Sequence, residues 1–185
     1  MHALTALPVI AAAVSFGAGC AGTSGTGNSS FSQSGLPDAV MVPTGHRVAM
    51  EAVGAGSITY ECRVKADAAG GHEWFFVGPD AQLTGRGGQA MGRYFGPPAT
   101  WESKDGSRVT ATQVAVAPNG TGNIPLQLVR ANPAAGMGTM QGVSFIQRVN
   151  TRGGVAPAMP CTATNVAQKQ VVQYQADYIF YKPAM

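Results

Sequence analysis

Glycine and proline interrupt this chain often, which suits short strands and turns better than long surface helices. Of 185 residues, 25 are Gly and 12 are Pro. Between these breaks the apolar residues recur at every second position. His46 to Val53, HRVAMEAV, sets Val48, Met50 and Ala52 against Arg47, Ala49 and Glu51. Ser57 to Val64, SITYECRV, sets Ile58, Tyr60 and Cys62 against Thr59, Glu61 and Arg63. A period of two marks a strand with one buried face. No helical stripe of useful length is present; Val166 to Gln173 offers one helical turn at most.

The same alternation continues along the chain. His72–Val77, Ala90–Phe95, Trp101-Glu102, Ser107–Ala117, Gly142–Asn150 and Gln170–Tyr181 read as strands. Ile124–Arg130 reads as a strand or a short helical turn. Gly54-Ala55-Gly56 reads as the link of a hairpin. Asp80–Gln89, with Gly85, Gly87 and Gly88, reads as a turn between short edges. Gly96-Pro97-Pro98 stops a ladder, because neither proline can donate an N–H. Lys104-Asp105-Gly106-Ser107 carries the Asp-Gly signal of a tight turn. About nine to ten short strands result, which predicts an all-β domain. The expected architecture is a single antiparallel β-sandwich or partly closed barrel, its strand order left open.

Ala3 to Phe16 is an uncharged apolar run. It is shorter than the roughly 20 residues that span a bilayer, and it fits the apolar core of a secretory signal. Gly17-Ala18-Gly19-Cys20 follows and resembles a bacterial lipobox. That resemblance implies cleavage before Cys20 and acylation of its thiol. Gly17 stands where Leu is usual, and the leader offers no Lys or Arg. Residues 1–20 are thus read as a lipoprotein-like signal, 21–39 as a Gly/Ser-rich tether, and 40–185 as the folded β-domain. Plain secretion and a cytosolic apolar N-terminus are the alternatives. The expected location is the outer membrane or periplasm, with the lipid on Cys20 as membrane partner.

Cysteine parity agrees with export. Three cysteines leave one over. If Cys20 carries lipid, Cys62 and Cys161 remain to pair, as oxidising compartments favour. Two buried free thiols are the other possibility. Neither CxxC nor HxxxH occurs, so no metal site and no cofactor is expected. Charged residues are only 11% of the chain, and the formal charge of +3 is spread out. A nucleic-acid footprint is therefore not expected.

Candidate site residues are few. Trp101, Tyr94 and Trp74 could stack on a sugar or a flat ligand, although large rings serve cores equally well. Glu102 beside Trp101 could contact that ligand. Arg148, in the run FIQRVNTRGG, could receive an anion. His72 and Glu102 are weak candidates for acid–base chemistry, but no complete catalytic motif is present. The GxSxG elbow fails after Gly106-Ser107, and GxGxxG fails after Gly54-Ala55-Gly56. The expected function is binding of a small molecule, glycan or protein at the cell envelope. A hydrolase of envelope or extracellular polymer, and a purely structural surface protein, are the alternatives.

Five segments then meet in one order: VPTGHRVAMEAVGAGSITYEC, GHEWFF, GRYFGPPATWESKDGSRV, GVSFIQRVNTRGGVAPAMPC and ADYIFY. This pattern resembles the DUF3455 family of exported proteins, over roughly Val42 to Tyr181. The resemblance implies export and no specific activity. Where the family often places His before its aromatic-Gly-Pro element, this chain has Arg93, and Pro98-Ala99 adds length.

Overall fold

The computed structural model describes residues 31–66 and 70–184. Cys20 and most of the expected tether lie outside those residues. Eight strands form one antiparallel sheet: β1 His46–Val64, β2 His72–Thr84, β3 Ala90–Phe95, β4 Thr100–Ser103, β5 Arg108–Ala117, β6 Leu126–Ala131, β7 Phe145–Gly153 and β8 Lys169–Pro183. Each strand pairs with the next, and β8 returns to β1, so the sheet closes into a ring. The expected partly closed barrel is thus a closed one. The ring is uneven, since β4 has only four residues and β1 has 19. Among the described residues no α-helix forms, only 3-10 turns at Asp38–Val40 and Ala163–Asn165.

The count is eight because one expected break, between the first two runs, is absent. Gly54-Ala55-Gly56 is not a link; it lies inside β1, paired with β2 on one side and β8 on the other. The glycines serve close approach. A Cβ on Gly54 would sit 2.5 Å from the Tyr178 ring, and one on Gly56 would overlap the backbone of Asp80 and Ala81. Likewise Asp80–Thr84 belongs to β2, and the turn is confined to Gly85–Gln89.

Alternation sorts the side chains into two layers. The barrel interior receives residues from every strand, among them Ala52, Leu83, Tyr94, Trp101, Val109, Val129, Ile146, Tyr178 and Phe180. One end of the interior is plugged by the 132–144 connection, whose Met140 is 1% exposed. Asp105 ties that plug to the β4–β5 turn. Its carboxylate accepts from Ser107 Oγ at 2.6 Å and N at 2.9 Å, and from Thr139 Oγ1 at 2.6 Å and N at 2.7 Å. The hydroxyl and amide donors of Ser107 and Thr139 hold this carboxyl well below the usual carboxylate range.

A depressed folded-state pKa adds stability above the unfolded pKa, about 3.9 for Asp, and that contribution fades as pH falls through the folded value. Asp105→Asn should therefore lower Tm at neutral pH, with the gap from wild type narrowing below about pH 4. Thermal melts across pH 2–7 check it; a gap constant with pH would refute the role given to the charge.

The second layer lies outside the barrel. Leu126, Leu128, Phe145, Val149, Ile179 and Tyr181 point outward, yet all are buried. Residues 31–42 lie over them as a strap, with Val40 and Val42 buried and Phe31 and Leu36 packed alongside. The stretch read as a tether therefore joins the folded body from Phe31 onward. A polar clasp fixes the strap. Fully buried Gln147 donates from Nε2 to the Val40 carbonyl and to Gln33 Oε1, and its Oε1 accepts from Tyr181 Oη at 2.8 Å. Gln33 Oε1 also accepts from Val42 N at 2.6 Å. This strap explains the unbroken buried run Ala176–Tyr181: one face looks inward and the other is covered.

At the other end the strands are unequal in reach. The pairing of β2 with β3 begins only at Asp80, so His72–Pro79 extends beyond it. Loop 154–168 folds onto this extension. Cys161 bonds Cys62 there, as expected, with Cα atoms 5.4 Å apart. Tyr60 Oη donates to Gly154 O, and Trp74 Nε1 donates to Met159 O.

Candidate functional site

The residues expected to bind ligand are divided by the parity of their strands. Trp101 and Tyr94 point inward and stack on each other, centroids 4.6 Å apart, with Tyr178 edge-on to Trp101 at 5.8 Å. Trp101 is 1% exposed, so it is core rather than a surface platform. Glu102, one residue on, takes the opposite face, where Arg108 reaches it at 4.0 Å. Trp101 and Glu102 therefore do not share a site. Trp74 is occupied by loop 154–168.

Arg148 does point inward, opposite Tyr178 in register. Its guanidinium donates to Pro125 O at 3.0 and 3.2 Å. The phenols near it serve the core. Burial raises Tyr178, Tyr174 and Tyr94 above the usual tyrosine value, so they remain neutral. Tyr174 and Tyr178 share a hydrogen bond of 3.2 Å between their hydroxyls.

His72 and Glu102 do not meet. His72 opens β2, while Glu102 lies level with Arg93, and Arg93 with Gln82. Ten residues of strand separate those levels, on the order of 30 Å at about 3.3 Å per residue.

A hollow of ligand size lies elsewhere among the described residues, on the rim at the plugged end. Pro43, His46, Arg130, Asn132, Pro133 and Phe145 are among its walls, and its volume is about 520 Å³. Small-molecule sites occupy about 300–1,000 Å³. Three strands build it. Register places Arg130 of β6 directly opposite Phe145 of β7. The Arg130 guanidinium lies over the Phe145 ring at 5.1 Å, and His46 of β1 meets the same ring edge-on at 4.9 Å. Ala131, Ala134 and Val143 add apolar wall; Asn132 and Ser144 add polar groups. A smaller hollow of about 230 Å³, lined by Phe95, Thr100, Arg108, Thr110, Pro133 and Ala135, shares Pro133 with it.

The groove's chemistry suits holding rather than reacting. Ser144 Oγ donates to Tyr181 O at 3.1 Å, and His46 Nδ1 lies 3.1 Å from Pro43 O. Hydroxyl and imidazole thus each face a backbone carbonyl, not one another. No sequence motif announced this groove. His46 and Arg130 are 84 positions apart by number (130 less 46) and meet only through strand order.

The family comparison covers residues 43–182 and matches DUF3455, described as a protein family of unknown function. The chain belongs to the DUF3455 family. No curated protein and no solved structure gives a match. Every groove residue of this DUF3455 chain lies inside the matched span, whereas the strap lies just before it.

Proposed function

We propose that this DUF3455 chain is an exported, membrane-tethered binding domain that holds a small ligand in the rim groove. The observation that carries the reading is the groove itself: a ligand-sized hollow with an aromatic floor and an arginine over it. Export is supported by the apolar leader, the lipobox-like Gly17–Cys20 and the Cys62–Cys161 bond, which leaves Cys20 as the odd cysteine. Binding is favoured over hydrolysis because His72 and Glu102 are far apart and the groove pairs no nucleophile with a base.

Two measurements test this. Mass analysis of the mature N-terminus should find diacylglycerol on Cys20; a processed but unmodified terminus would leave export without the tether. A fragment library screened by ligand-observed NMR should yield hits that Asn132→Trp abolishes by filling the groove mouth. Asn132 is exposed and its Nδ2 donates one hydrogen bond to Thr110 Oγ1 at 2.9 Å, so Tm should fall only slightly. Hits that survive Asn132→Trp would move the site away from the groove.

A further inference from the structure

We infer that the rim groove selects a small organic anion, its carboxylate on Arg130 and its ring or apolar body against the wall of Ala131, Pro133 and Ala134; this rests on the groove being the binding site. Charge placement is the first argument. Arg63, Arg86, Arg93 and Arg108 each face a carboxylate, and Arg148 holds a backbone carbonyl. Arg130 has no ion-pair partner among the described residues. Its planar fork therefore remains available for two parallel hydrogen bonds to a carboxylate.

Two further cations lie near this end, on the opposite face of the sheet from Arg130. Arg47 of β1 stands directly opposite Lys182 of β8. Like charges opposed across a strand pair destabilise it, and neither residue has an acidic partner among the described residues. Lys182 runs alongside Gly142, a groove residue, 3.9 Å from where a Cβ there would lie. The acids at this end are engaged: Glu102 faces Arg108 of the adjoining hollow, and the Asp105 carboxylate is held by Ser107 and Thr139. Arg130 is thus the cation that the hollow itself offers to an anion.

The shape argues against a bare inorganic ion. The apolar walls Ala131, Pro133, Ala134, Val143 and Phe145 suit a hydrophobic body behind the charged group. A ring carboxylate satisfies both halves of the groove, whereas free phosphate satisfies only the cation.

The test is a titration of the folded chain, strap included, followed by amide NMR. The probes are benzoate and galacturonate, their neutral counterparts benzyl alcohol and galactose, and inorganic phosphate. Ring carboxylates should shift the amides of Asn132, Ser144 and Phe145 saturably, and the neutral counterparts should not. Arg130→Gln should weaken binding about tenfold or more, as loss of a charge-assisted pair does, and Arg130→Lys should restore part of it. Lys182→Gln should cost less and reduce the salt dependence. Neutral probes binding as tightly as the anions, or Arg130→Gln leaving affinity unchanged, would overturn the anion preference while the groove remains a binding site. Phosphate binding as tightly as benzoate would overturn the role given to the apolar body. Groove amides that respond to none of the probes would overturn the inference, and the fragment screen then decides whether the groove binds anything.

Discussion

A chain that starts at Pro43 instead of Ala21 should fail to yield a stable soluble barrel. Val40 and Val42 are buried under the strap, 0% and 5% exposed, and burial of such side chains contributes about 1.5–3 kcal/mol each. Removing the strap also uncovers Leu126, Leu128, Phe145, Val149, Ile179 and Tyr181. The combined loss is on the order of 5 kcal/mol or more, against a total stability of about 5–15 kcal/mol for ordinary domains. The newly bared apolar face would promote association as well. Urea unfolding and size-exclusion chromatography of the two chains check this. Gln147→Ala is the milder companion, costing about 1–3 kcal/mol because the Val40 carbonyl and the Tyr181 hydroxyl lose their partner under cover. An unchanged urea midpoint for the shortened chain would mean that the strap merely rests on the sheet. The family match begins at Pro43, so a boundary drawn from it would remove this segment.

Breaking the Cys62–Cys161 bond should be the next most costly change. The bond joins residues 99 apart in sequence, and the chain-entropy account gives about 4.7 kcal/mol for a loop of that size, with about 2–5 kcal/mol typical of native bonds. It also holds loop 154–168 on the extended arm of β1 and β2. Its release would free Trp74 from the Met159 carbonyl, while Trp101 stays in the barrel. Reduction, or the double substitution Cys62→Ala with Cys161→Ala, should lower the urea midpoint and shift tryptophan emission toward the red. Equal midpoints for oxidised and reduced protein would show that the loop is held by its other contacts.

Strands were readable from sequence wherever one face is buried and the other wet. His46–Val53 and Ser57–Val64 alternate cleanly and are strand, yet the glycines between them misled. Glycine marks either a turn or a place where another chain segment comes close, and only the Tyr178 ring reveals which use applies here. The aromatic face failed for a related reason. Alternation states that Trp101 and Glu102 look opposite ways, but not which way is in. The strap was hidden by its own composition: Phe31, Gln33 and Leu36 lie among Ser and Gly, and their value depends on an outer face assembled from four distant strands. The groove required strand order, which periodicity does not contain. Arg130, His46 and Phe145 become neighbours only because β1, β6 and β7 sit near one another around the ring.

The ring is sealed by β1 against β8, a seam pairing His46 with Pro183 and Glu61 with Lys169. The first strand to be synthesised therefore waits for the last. Until β8 has been made, one side of a 19-residue strand presents unmet amides and carbonyls. Pairings this remote in sequence are slow to form. Until the ring shuts, that open side can join a neighbour's, and only the chain's own closure removes the hazard.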